Sequence, residues 1–138
     1  MADEVVIDAS VFAAALFDEE HSAARRFLGD CVSSERIMIA SDLMPLEIAS
    51  IAAKKVWRGE CSEQLGAEAV DTARDMMAMP VSLPDLLGRA YDLAARHRFS
   101  VYDATYIALA EVRDSQVATL DARLARRAEA EGFADRLV

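Results

Sequence analysis

The chain has 138 residues, 54% hydrophobic and 28% charged, a globular balance that excludes a disordered chain and sets the expectation of a single domain over residues 1–138. A formal net charge of −9 excludes broad, sequence-independent attraction to phosphate backbones, which draws on a basic footprint, so any contact with nucleic acid must be local. No apolar run approaches the roughly 20 residues that span a bilayer, Met1-Ala2-Asp3-Glu4 lacks a basic leader, and Cys31 and Cys61 have neither disulfide nor zinc spacing, so the expectation is a reduced, cytoplasmic protein.

Short β-rich runs alternate with longer helical patterns. Val5 to Asp8 reads as a strand that hands over at Asp8 to a helix from Ala9 to Phe17. A helix over Ser22 to Val32 and a strand over Ile37 to Ala40 follow. Helices over Leu43 to Arg58 and Ser62 to Met77 come next, with Asp42 and Ser62 as their expected caps. Pro80 to Leu83 reads as a third strand, and Pro84 suits the first turn of a helix reaching His97. Val101 to Arg113 is helical, Val117 to Leu120 a fourth strand, Ala122 to Glu131 a helix stopped by Gly132, and Ala134 to Val138 a fifth strand. This alternation predicts an α/β fold around a parallel sheet, with ligands expected along the edge where strand C-termini meet helices.

Four carboxylates, far apart in the chain, stand where a strand should hand over to a helix or early in a helix: Asp8, Glu47, Asp103 and Asp121. Each has an ordinary structural reading. Asp8 and Asp121 can cap helices, and Ser100-Val101-Tyr102-Asp103 matches a capping box. Glu47 differs, because its helical neighbours at three and four residues include Leu43, Met44 and Ile51, which put it on an apolar face where an unpaired charge is costly. Carboxylates gathered in one crevice would repel by roughly 4 kcal/mol per close pair at an effective dielectric constant near 20, a repulsion that a hard cation such as Mg²⁺ or Mn²⁺ relieves.

The order Val5-Val6-Ile7-Asp8-Ala9-Ser10, then Pro45-Leu46-Glu47, then Tyr102-Asp103-Ala104, then Thr119-Leu120-Asp121-Ala122-Arg123-Leu124, resembles the PIN-domain ribonucleases, above all the toxin subunits of VapBC toxin-antitoxin modules. The resemblance spans almost the whole chain. It implies a PIN-like three-layer α/β/α sandwich, with a central parallel sheet of about five strands in the order 3-2-1-4-5. It implies that Asp8, Asp103 and Asp121 hold Mg²⁺ or Mn²⁺, that Glu47 completes the catalytic set, and that Ser10 and Thr119 are supporting hydroxyls. The implied reaction is hydrolysis of RNA phosphodiester bonds; the implied partners are a small VapB-like antitoxin and a second copy of the chain.

Two basic groups follow the acids, Lys54, Lys55 and Arg58 after Glu47, and Arg123, Arg126 and Arg127 after Asp121. They read either as RNA phosphate contacts or as solvated helix faces with local pairs such as Arg127 with Glu131. Trp57, Tyr102 and Tyr106 read as core or dimer contacts more readily than as stacking platforms, and Met76, Met77 and Met79 as packing. A receiver domain fits poorly because Leu83-Pro84-Asp85 is a weak acceptor site, and a dehalogenase-like phosphatase fits poorly because Asp8-Ala9-Ser10 lacks the second aspartate. The rival from another class is an inactive PIN-like interaction module whose acids serve only caps and a partner interface.

Overall fold

The computed structural model describes residues 3–17 and 22–138; Met1 and Ala2, on which the leader reading partly rests, lie outside them. Among the described residues three strands, β1 (Glu4–Ile7), β2 (Ile37–Ile39) and β3 (Gln116–Ala118), form a parallel sheet in the order β2-β1-β3. Val5 pairs with Met38 on one side and Gln116 on the other, and Val6 with Ile39 and Val117. The sheet is joined by seven α-helices among the described residues: α1 (Ala9–Phe17), α2 (Ser22–Ser33), α3 (Leu43–Trp57), α4 (Glu63–Met76), α5 (Leu83–His97), α6 (Val101–Val112) and α7 (Ala122–Ala130).

The continuous apolar run of β1 follows from helices covering both faces of the sheet. Side chains alternate across a strand, so Val5 and Ile7 enter the core built with α1 to α4, while Val6 enters the core of α5, α6 and α7 with Ile39 and Val117. All three β1 residues are fully buried. α6 is buried continuously from Ala104 to Ala110, its small alanines admitting close neighbours between α5 and the sheet. No described helix is long and apolar enough to cross a membrane.

The expected third and fifth strands are not formed. In place of Pro80 to Leu83, a single parallel bridge joins Ala78 to Ile39, because Pro80 and Pro84 have no N–H to donate and the chain turns into α5 at Leu83. In place of Ala134 to Val138, a 3₁₀ turn over Ala134–Arg136 takes up the segment, leaving one bridge from Leu137 to Val117. These bridges flank β2 and β3 on the outer sides, where a five-strand order of 3-2-1-4-5 puts its edges.

Helix punctuation follows local chemistry with one correction. Ser62 Oγ accepts from Leu65 N at 3.1 Å, as a cap should. Asp42 occupies the position before α3 but its side chain caps nothing; Ser41 Oγ instead accepts from Leu43 N at 3.3 Å. Gly132, at φ 87°, ends α7 with Phe133 N donating to Ala128 O at 2.7 Å. Of the aromatics read as core or dimer contacts, Tyr106 is in the core, whereas Trp57 and Tyr102 are 78% and 64% exposed and so are not core residues. Of the three methionines, Met77 is buried and Met76 is exposed.

Candidate metal centre and acidic crevice

Asp8 follows the last residue of β1, and its backbone N–H still donates to Ala118 O at 3.0 Å, so the sheet itself fixes where its carboxylate stands. It is 5% exposed, and Oδ2 accepts from Ser10 Oγ at 2.7 Å and from Thr119 Oγ1 at 2.6 Å. Each hydroxyl spends its only proton on Asp8 and so can accept elsewhere: Ser10 Oγ from Leu120 N at 2.9 Å, Thr119 Oγ1 from Asp121 N at 3.0 Å. The β1–α1 and β3–α7 turns are thereby stapled through two side chains more than a hundred residues apart in sequence. Both hydroxyls thus hydrogen-bond the Asp8 carboxylate, while Thr119 also accepts from the backbone two residues on and Ser10 from the distant β3–α7 turn.

Asp121 caps α7, Oδ1 accepting from Arg123 N at 2.9 Å and Leu124 N at 3.3 Å. Asp103 lies in the first turn of α6, its N–H donating to Ser100 Oγ at 3.0 Å, half of the expected capping box. Glu47, on α3, receives the Tyr106 hydroxyl on Oε1 at 2.7 Å. That same phenol oxygen accepts from Ala9 N at 3.3 Å, so Tyr106 joins α6 to α3 and to the start of α1.

The electrostatics tie the four acids together. Burial pushes the Glu47 carboxyl up to about 7, the Tyr106 bond opposes this, and the negative charges of Asp8 and Asp103 add to it. Burial also raises Asp103, with repulsion from Asp121 and Asp8 added and the Ser100 bond and Arg123 opposing. Asp103 thus feels Asp121 and Asp8 and acts in turn on Glu47. Burial and the neighbouring Asp8 and Glu47 charges raise the Tyr106 phenol as well, keeping it a donor.

The donors of this crevice are oxygen only, and burial together with repulsion between the carboxylates raises the proton affinities of Glu47 and Asp103. By donor chemistry the acids therefore fit a hard divalent cation. Among the described residues, no three His, Cys, Asp or Glu side chains are gathered tightly enough to hold an ion as they stand.

A cavity of about 380 Å³ opens beside Asp103, walled by Ser100, Arg98, Arg123, Arg126 and Arg127. The two expected basic groups differ here. Arg123, Arg126 and Arg127 adjoin the acids, whereas Lys55 lies 5.5 Å over the Phe17 ring and 3.6 Å from Glu60, occupied by structural contacts. The expected Arg127 to Glu131 pair is present at 3.8 Å. Sequence reasoning missed the linking role of Tyr106, although its position three residues after Asp103 puts both on one helix face. In sequence, Arg96-His97-Arg98 reads as a weaker RNA contact than the two basic groups, at a helix C-terminus where cations suit the dipole, yet Arg98 lines this cavity.

The PIN domain profile matches residues 5–130. Ribonuclease VapC3 of Pyrobaculum aerophilum is 34% identical over 127 residues, covering 90% of this chain and 94% of that protein. Ribonuclease VapC9 of Mycobacterium tuberculosis is 30% identical over 127 residues, covering 92% of this chain and 93% of its own length. Among solved structures, PAE2754 from Pyrobaculum aerophilum superposes with a TM-score of 0.71 at 19% identity, over 92% of this chain and 81% of that one. VapC20 of Mycobacterium tuberculosis, described as a sarcin-ricin loop cleaving toxin, superposes with a TM-score of 0.66 at 21% identity, over 88% of this chain and 93% of its own. At such identities the two structures speak to the fold.

Proposed function

The chain belongs to the PIN-domain family, and from that premise we propose that it is a VapC-type toxin, a metal-dependent endoribonuclease that hydrolyses RNA phosphodiester bonds. The observation that carries the reading is the coupling of Asp103 to Asp8, Glu47 and Asp121, four acids of an all-oxygen crevice at the C-terminal edge of a parallel sheet. Nothing in the geometry or the relatives favours an inactive interaction module. The domain spans residues 1–138 in this reading, and the protein acts in the cytoplasm.

Asp8, Asp103 and Asp121 are the residues that would hold Mg²⁺ or Mn²⁺. When bound, such a cation supplies a lowered pKa for a coordinated water and charge neutralisation for a phosphate oxygen. The chain's own contributions are distinct. Ser10 and Thr119 hold Asp8 in one orientation through the two bonds to Oδ2. Tyr106 fixes Glu47 through Oε1, which leaves its other oxygen to orient the attacking water and to take its proton. Arg123, Arg126 and Arg127 contact the RNA backbone, supplying locally the positive charge that the whole chain lacks.

The partners proposed are a VapB-like antitoxin, after the names of the relatives, and a second copy of this chain. The test is cleavage of defined RNAs by the purified protein with and without Mg²⁺, comparing wild type with Asp8→Asn. Magnesium-dependent cleavage lost in the variant supports the reading; equal cleavage by both proteins would sink it.

A further inference from the structure

The cavity beside Asp103 sets four arginines, Arg98, Arg123, Arg126 and Arg127, against that one carboxylate. In a chain of net charge −9 this is a local reversal of sign. Arg127 has Glu131 at 3.8 Å, and no carboxylate among the described residues stands at salt-bridge distance from Arg98, Arg123 or Arg126. Guanidinium groups crowded around one hollow repel unless an anion is seated among them, and their planar donor forks match phosphate oxygens.

The backbone of Arg98 is an independent observation. Arg98 ends α5 at φ 59°, its N–H donating to Ala94 O at 3.0 Å. This is the left-handed conformation that glycine adopts freely and residues with a Cβ adopt at a cost. For stopping the helix glycine would serve better. Arginine in that place adds a fourth arginine to the cavity lining, and of the three described residues with a Cβ that hold a positive φ, Glu35, Arg98 and Asp114, Arg98 is the one that lines this cavity.

We propose that this cavity is a phosphate subsite, which seats a phosphodiester neighbouring the scissile one in the RNA strand. The assignment rests on the ribonuclease reading for the identity of the strand, and on Arg98, Arg123, Arg126 and Arg127 for the anion. Asp103 is a wall of this cavity and a member of the acid cluster, so a phosphate held here lies alongside the reacting one. A hollow of about 380 Å³ also takes a nucleotide more naturally than the single carboxylate of an acidic protein side chain. Arg98 is a binding and positioning residue in this scheme and takes no part in bond breaking.

The experiment titrates the metal-free protein with inorganic phosphate and with adenosine 5′-monophosphate, following arginine Nε–H resonances and thermal shift. Saturable binding is expected in wild type and in Asp8→Asn, weakened about tenfold in Arg98→Gly and further in Arg98→Gly/Arg126→Gln. Because glycine relieves the left-handed strain, Arg98→Gly should melt no lower than wild type, so lost binding cannot be ascribed to misfolding. On RNA, Arg98→Gly should raise KM by more than it lowers kcat and reduce the salt dependence of binding. Unchanged phosphate binding in Arg98→Gly overturns the proposal, as does binding that disappears in Asp8→Asn. Loss of antitoxin binding in Arg98→Gly with phosphate binding intact overturns it too, and assigns the cavity to the protein partner. Phosphate bound through Arg98 by a protein that cleaves no RNA upholds the subsite and rejects the ribonuclease reading instead.

Discussion

The hydroxyl of Tyr106 donates to Glu47 Oε1 at 2.7 Å and accepts from Ala9 N at 3.3 Å, so a single phenol joins the acidic crevice to the first turn of the helix after the central strand. Tyr106→Phe keeps the buried ring and removes both bonds. The expected outcome is a loss of about 1–2 kcal/mol in urea denaturation, with cleavage reduced because Glu47 is free to turn. Wild-type stability and cleavage in this variant would show that the phenol neither supports the fold nor positions Glu47.

Glu47 gives the metal-free protein a signature in pH. Its carboxyl sits at about 7 when folded, against an ordinary value of 4.5, so the folded chain binds that proton more tightly than the unfolded chain. The resulting stability is full below pH 4.5, falls as pH rises toward about 7, and is gone above it. Partial exposure of the group limits the loss to roughly 1–3 kcal/mol. Glu47→Gln should flatten this slope and be the more stable protein at pH 8; melting curves in EDTA from pH 4 to 8 decide the matter.

Asp121 allows capping to be separated from charge. Asparagine also accepts from Arg123 N and Leu124 N, so Asp121→Asn should retain stability to within about 0.5 kcal/mol. RNA cleavage should nevertheless fall by two orders of magnitude or more, roughly the scale of a lost electrostatic catalytic group. Full activity would leave Asp121 with the cap alone.

Divalent metal should act as a stabilising ligand. Mg²⁺ or Mn²⁺ at about a hundred times its dissociation constant should add about 2.7 kcal/mol, and chelation should remove it. Asp8→Asn and Asp103→Asn should each blunt the response in differential scanning calorimetry. An identical metal response in both variants would place the cation elsewhere.

Away from the crevice, Gly66 lies inside α4 where a Cβ would meet Val56 Cγ2 at 3.5 Å and Ala52 Cβ at 3.6 Å, ordinary contact distances. Gly66→Ala should therefore stabilise the chain, by about 0.5–1 kcal/mol, through helix propensity and a less free unfolded state. A lower denaturation midpoint would mean that α3 and α4 cannot accommodate even one methyl group.

The helices were legible because amphipathic spacing repeats over several turns, and the observed ends of α3 to α7 lie within a residue of the expected ones. Asp42 was misread because composition names a capping residue but does not show whether its side chain turns back to the amides. The edge strands were misread for a different reason: a stretch of only four or five residues with proline or a tight turn in or beside it carries no usable periodicity, and only pairing partners distant in sequence decide its state. The acids could be picked from the junctions they occupy. Their mutual coupling depends on sheet order, which spacing does not encode, and Arg98 depends on a backbone angle that an arginine code letter gives no reason to expect.

The pairing of Val5 with Gln116 has a consequence for the order of events during synthesis. Asp8 leaves the ribosome early, but its hydroxyl partner Thr119 and the cap Asp121 belong to the final part of the chain. The crevice therefore cannot assemble on a nascent chain until β3 and the residues after it have emerged. A protein that cuts RNA is in this way held inert until that later part of its chain has emerged. Ribosome-stalled chains that expose residues only up to Val112 should be protease-sensitive and unable to cleave RNA, even with all of α1 to α6 available.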